Sequence, residues 1–179
     1  MTSVHGYWTY LDIIQSYDLP DLRNTPERSE KTYEKGMISH FLKERGYSIM
    51  LYLLQVANMD TLANESQFNT TLMICDDKTM LEIYGEEFFM NLDRNTARRI
   101  VNIHSIPRIV TTQSLLQRRV AVLDTKDPQS QLSFTNNRGV VTIISSRVSS
   151  WCRLVEELKL KNGIVMVMDG FFIPENFNF

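Results

Sequence analysis

The longest apolar run lies near the end of the chain, where Asn162-Gly163 precedes Ile164-Val165-Met166-Val167-Met168-Asp169-Gly170-Phe171-Phe172-Ile173-Pro174. Its near absence of polar positions predicts a strand over residues 164–173 buried on both faces, entered through an Asn-Gly turn with positive backbone angles and stopped by Pro174. A second apolar run ends in Asp76-Asp77, where either carboxylate can accept the free N–H groups of a helix that begins there. Between the two, residues 98–109 read as a helix end that passes through His104 into a turn at Pro107 and then a strand.

Upstream, residues 38–62 repeat with helical period in two pieces, Ile38, Phe41 and Leu42 in one and Ile49, Leu51, Tyr52, Leu53 and Val56 in the other. Gly46 separates them, and Ser48 is the expected N-cap of the second. Short helices are predicted over 84–91 and 95–102, with Asp93 or Asn95 as cap. After Pro107 the period changes, and strands are predicted over 108–110, 119–124, 131–136 and 140–145. Asp127-Pro128 and residues 136–139 mark turns, the latter with the Asn and Gly of a hairpin. The charged segment 151–161, with Arg153, Glu156, Glu157, Lys159 and Lys161, reads as a helical or loop insertion on the surface. Helices followed by strands predict an α+β domain.

Three of these segments, in this order, resemble the signatures of the fasciclin (FAS1) domain. Residues 71–80 follow the form T-L-F-A-P-T-D-x-A-F, with Thr71 at its start and Asp77 on the signature aspartate. Ile103-His104 stands where the family has Tyr-His before a proline turn. Residues 162–174 follow N-G-V-I-H-V-I-D-x-V-L-x-P, including Asn162, Gly163, Asp169 and Pro174. The resemblance covers roughly residues 38–174. It implies a fasciclin-like β-sandwich with N-terminal helices, acting as an adhesion or interaction module. His104 then lies in a region linked in some fasciclin domains to integrin adhesion and intradomain hydrogen bonding. Since Ile103 replaces the family tyrosine, the preferred expectation is that the imidazole satisfies backbone groups at a helix end. Asp77 is expected to be a cap or buried acceptor.

Residues 1–37 lie outside the resemblance and read as an added N-terminal arm, with the fasciclin-like domain and a short aromatic tail over 38–179. Tyr7, Trp8, Tyr10, Leu11, Ile13, Ile14 and Tyr17 are dense enough for two or three helical turns, and residues 18–36 read as a polar connector. The cluster either folds back on its own domain or inserts into a partner. Phe171, Phe172, Phe177 and Phe179 present the same choice at the other end.

Composition narrows the function. At 179 residues, 43% hydrophobic and 22% charged, the chain has the length and balance of one globular domain. A formal net charge of -2 offers no general attraction to nucleic acid or anionic membranes, which makes nucleic acid an unlikely partner. Arg94, Arg98, Arg99, Arg108, Arg118 and Arg119 concentrate basic charge mid-chain; Arg98 and Arg99 are candidates for an anionic protein surface or for nucleic acid beneath a capsid, a solvated helix face being the plainer alternative. Cys75 and Cys152 are too few for a disulfide framework, and Cys75 reads as an inert buried thiol. The chain shows neither a signal-peptide pattern nor a membrane-spanning stretch, which predicts an intracellular or virion location. Asn64-Glu65-Ser66 and Asn69-Thr70-Thr71 are formal glycosylation sequons, read as chance without an export signal.

No phosphate loop, serine elbow or metal-binding histidine pair is present, so neither a catalytic set, a metal nor a cofactor is expected. The expected role is a non-enzymatic structural module, with the arm, tail and arginines as contacts. It would be a cementing or minor component of a large assembly, such as the capsid of a large DNA virus, with capsid proteins as partners. The alternative is an extracellular cell-adhesion domain.

Overall fold

The two most apolar runs lie side by side. The computed structural model describes residues 31–146, 148 and 150–173. In it β1 (Thr70–Ile74) and β7 (Gly163–Met168) pair in parallel, with Leu72 opposite Val165 and Ile74 opposite Val167. Every residue of both strands is buried. Because side chains alternate, Leu72, Ile74, Val165 and Val167 face one way and Met73, Ile164, Met166 and Met168 the other. The first set packs with the helices through Leu42, Ile49, Leu53, Phe89 and Ile100, the second against Leu132, Phe134 and Ile143 of other strands. A strand covered on both sides needs apolar residues throughout, which is why these runs do not alternate.

The helices precede and follow β1: α1 (Ile38–Glu44), α2 (Ser48–Val56), a 3-10 turn at Leu62–Asn64, α3 (Asp77–Tyr84), α4 (Glu86–Met90) and α5 (Arg94–Ile103). Then come β2 (Ser105–Ile106), α6 (Thr112–Leu116), β3 (Val120–Asp124), β4 (Gln131–Asn137), β5 (Val140–Ser145), β6 (Trp151–Leu160) and finally β7. The strands run in the order β2-β1-β7-β6-β5-β4-β3, antiparallel except for β1–β7.

β6 makes the sandwich. Its first residues pair with β5, Trp151 opposite Ile144 and Arg153 opposite Thr142; from Leu154, opposite Met168, it pairs with β7 across a register shift between Leu154 and Glu156. One strand thus passes from one sheet to the other, and the two inner faces close on a common core. Lys126 N–H, just after β3, donates to Ser105 O in β2 at 2.8 Å, so the two ends of the sheet approach and the sandwich is nearly a barrel.

This strand is where the sequence expectation fails, since residues 151–161 form no surface insertion. Their charges mark a strand with one wet face: Cys152 is buried while Arg153, Glu156 and Lys159 are exposed. The strand expected at 108–110 is also displaced, to Ser105–Ile106. At 108–110 a side chain replaces the ladder: Thr71 Oγ1 donates to Arg108 O at 2.8 Å and accepts from Val110 N–H at 2.9 Å. The short α6 was not expected; Thr111 Oγ1 caps it by accepting from Ser114 N–H.

Other local expectations divide similarly. Asp76 caps α3 and Asp93 caps α5, through Thr79 and Thr96 N–H. Ser48, expected to cap α2, is instead that helix's first residue. The β4–β5 hairpin turns through Arg138 and Gly139, both at positive φ, as its Asn and Gly content predicts. Tyr33 and Met37, on the arm side of the expected boundary, are core residues, and Tyr33 donates its hydroxyl hydrogen to the buried Asp60 at 2.8 Å.

Neither Asn162 nor Gly163 has a positive φ. Gly163 is required by close approach instead: an added Cβ would collide with the Thr70 carbonyl and meet Ile38 Cδ1 at 3.0 Å. Gly163→Ala is therefore expected to force β7 away from β1 and to destabilise the domain by roughly 2–4 kcal/mol, read from the midpoint of urea unfolding. An unchanged midpoint would mean the two strands are not packed this closely.

Candidate functional site

The motif residues do converge, but inside the molecule. Thr71 holds the segment after β2, as described above. Asn162 Oδ1 accepts from Ile38 N–H at 3.0 Å, and its Nδ2 donates to Ala63 O and Glu65 O. One buried side chain thereby ties the entrance of β7 to α1 and the 3-10 turn. Asp77 reaches from α3 to the start of α2, accepting from Ser48 N–H at 3.2 Å and Ile49 N–H at 2.9 Å. It supplies from a distance the cap that α2 lacks in its own sequence. Burial pushes its carboxyl up to about 7, against the lowering effect of those two amides.

His104 stands at the seam of the two cores. It follows α5 directly, and its Nδ1 donates to Ile100 O at 2.7 Å while its Nε2 accepts from Phe172 N–H at 2.9 Å. Phe171, on the helical side, stacks on the imidazole with 3.7 Å between centroids, and Phe172 belongs to the sandwich core. Complete burial lowers its pKa to about 4, so the ring is neutral near pH 7. Tyr84 donates its hydroxyl hydrogen to Phe171 O and ties the same segment to α3. With both nitrogens engaged by backbone, His104 satisfies a helix end, as expected from Ile103-His104, and has no ring nitrogen left for a substrate.

Asp169 is nearer the surface. Its carboxylate takes Arg153 N–H at 2.6 Å and Arg153 Nε–H at 2.8 Å, while Asp169 N–H donates to Arg153 O. This two-point clamp holds β6 beside the end of β7, just below Trp151. Cys75 and Cys152 are free and buried in different cores, and burial raises both thiols, Cys152 to about 12. Among the described residues no group of three His, Cys, Asp or Glu could hold a metal ion. None of their helices is long and apolar enough to cross a membrane.

The surface carries the feature that sequence reading missed. On the outer face of the β3–β6 sheet, one register row runs Val122, Ser133, Ile144, Trp151, and the next Val120, Thr135, Thr142, Arg153. Val122 is 55%, Ile144 42%, Trp151 61% and Val155 64% exposed, on a face where a soluble antiparallel sheet ordinarily turns polar residues to water. A signal was available: β3 and β5 are apolar at consecutive positions, as in Val120-Ala121-Val122-Leu123. Recognising it needed Trp151 to be on a strand.

The other candidates separate. Arg98 is exposed on α5, whereas Arg99 lies 3.8 Å from Asp127. Arg108 and Arg118 line one cleft beside α6. Tyr7, Trp8, Tyr10, Leu11, Ile14, Tyr17, Pro174, Phe177 and Phe179 lie outside the described residues.

The fold is a helical layer on a nearly closed seven-stranded sandwich, with its polar motif spent on internal ties and an apolar outer face. The chain belongs to the fasciclin-domain family, whose model matches residues 45–174. Among solved structures it is similar to a FAS1 domain pair from the insect cell adhesion molecule fasciclin I, with a TM-score of 0.65 and 16% identity. The match covers 79% of this chain and 52% of that one, so this chain spans about half the length of the pair. No curated protein sequence matches it. Family membership supports an interaction or adhesion module in general terms.

His104 yields a pH-dependent prediction. The unfolded imidazole takes a proton below about 6.5 and the folded one only below about 4, so its stabilising contribution is present above 6.5 and lost as pH falls through that window. His104→Phe keeps a ring for stacking but abandons both hydrogen bonds. Its deficit against wild type, measured by urea unfolding, should shrink by on the order of 3 kcal/mol between pH 7 and pH 4. Asp77 titrates in both proteins and cancels from the difference. A deficit independent of pH would show that the folded ring titrates normally.

Proposed function

We propose that this chain is a non-enzymatic protein-interaction module that binds a partner protein through the outer face of the β3–β6 sheet. The observation that carries the reading is the exposed row Val122, Ile144 and Trp151, continued by Val155, on a framework whose motif residues Asp77, His104 and Asn162 are engaged internally. Tryptophan and arginine are the residue types enriched at binding hot spots, and the clamped Arg153 beside Trp151 adds a directional polar contact. In the first setting the module is a cementing or minor component of a large assembly such as a capsid, with Tyr7–Tyr17, Phe177 and Phe179 as further anchors and Arg98 on a second charged face. Extracellular cell adhesion is the other setting, and the fasciclin-domain match supports it equally.

Because Trp151 and Ile144 are exposed, Trp151→Ser with Ile144→Ser should leave the unfolding midpoint within about 0.5 kcal/mol of wild type while removing partner binding. Sedimentation of protein from its native source, wild type against the double variant, reads this directly. Co-sedimentation of both with a large particle would overturn the assignment of this face.

The sequons separate the two settings. Asn69 is exposed, whereas Asn64 is half-buried and its Oδ1 accepts from Glu34 N–H. Adhesion on a cell surface predicts glycan at Asn69 in native material. Unmodified Asn69 on protein that sediments with a particle supports the assembly setting.

A further inference from the structure

On the opposite side of β3 from the apolar face lies a half-open cleft of about 200 Å³, between residues 108–110, α6 and β3. Val110, Leu115, Ala121 and Leu123 form its buried floor, and Arg108 and Arg118 stand exposed at its mouth. The walls are tied from several directions. Thr71 fixes Arg108 and Val110 as described above, Glu157 accepts from Thr112 N–H at the start of α6, and Asn136 Nδ2 donates to Leu116 O at its end. Such a cleft is held open before anything enters it, which lowers the ordering cost of binding.

Its chemistry is specific. Among the described residues, neither Arg108 nor Arg118 lies within ion-pair distance of a carboxylate, although Arg99 and Arg153 both have acidic partners. Two uncompensated guanidinium groups over an apolar floor suit a ligand that is apolar at one end and anionic beside it. The volume exceeds the roughly 150 Å³ of a cavity that admits benzene, so one ring or branched side chain fills it. Being half-open, it can take a side chain while the chain that bears it stays outside.

We propose that this cleft recognises an acidic segment of a partner protein, seating an aromatic side chain on Val110, Leu115, Ala121 and Leu123 while flanking carboxylates pair with Arg108 and Arg118. The inference rests on the interaction-module reading and names the partner's chemistry at a place separate from the Trp151 face.

The test uses the full chain and a labelled, end-blocked peptide containing Asp-Phe-Glu, with Asn-Phe-Gln, Asp-Ala-Glu and free phenylacetate as comparisons, followed by fluorescence anisotropy and amide chemical shifts. Asp-Phe-Glu should bind, shift Leu115, Ala121 and Leu123, and weaken as salt rises. Either changed peptide, or Arg108→Gln with Arg118→Gln, should weaken binding by at least about 10-fold. The inference is overturned by no binding at about 1 mM peptide, by indifference to the arginine substitutions, or by shifts elsewhere. Phenylacetate binding as tightly as the peptide would also overturn it, by assigning the cleft to a small organic acid. Trp151→Ser should leave peptide binding unchanged, so failure at the cleft and failure of the outer-face reading remain distinguishable.

Discussion

The parallel contact between β1 and β7 is the constraint on which the rest depends. Two strands far apart in sequence lie side by side with both faces covered, and the hydrophobic gain from that burial has to offset a long loop closure. Their contact demands a glycine at residue 163, because the Thr70 carbonyl occupies the space of a Cβ. It also requires the backbone at each end to be satisfied without water, and the buried polar residues answer that need. Asn162 serves the entrance of β7, and His104 serves the end of α5 together with the segment leaving β7.

This allocation has a functional consequence. A histidine whose two nitrogens are engaged by backbone, an aspartate that caps a neighbouring helix and an asparagine with three hydrogen bonds are occupied in holding the fold. What remains outside is the apolar register row on the β3–β6 sheet and the cationic cleft behind it, the two surfaces we propose for recognition. The two lie on opposite sides of the same strand, β3, whose alternate residues Val120 and Val122 face outward and Ala121 and Leu123 inward. A single strand thus supplies one wall of each surface, and its pleat keeps them apart.

His104 and Asp77 also give the fold opposing responses to acid. The lowered pKa of His104 removes stability as pH falls from about 6.5 to 4, whereas the raised carboxyl of Asp77, at about 7, gains relative stability over an overlapping range. Both shifts arise from burial, with opposite sign because burial penalises the charged form of each group. A modest net dependence therefore conceals two larger ones.

Much of this architecture was legible in the residues. The unbroken apolar run around Val165 announced a strand covered on both faces, Asp76-Asp77 and Asp93 or Asn95 announced helix starts, and the Asn and Gly of residues 136–139 announced the hairpin, because each depends on interactions within a few residues. Ser48 was misread as a cap because the true acceptor, Asp77, is 28 residues from Ile49. Residues 151–161 were misread as an insertion because a strand with one wet face carries the same charges as a surface loop until its partners are known. The sequence alone thus determined the family pattern, most of the local elements and the expectation that Asp77 and His104 serve backbone groups. Only the tertiary structure decided which backbone groups those residues serve, that Trp151 joins Ile144 and Val122 in one row, and that Arg108 and Arg118 share a cleft, because such neighbours are set by strand pairing across long stretches of chain.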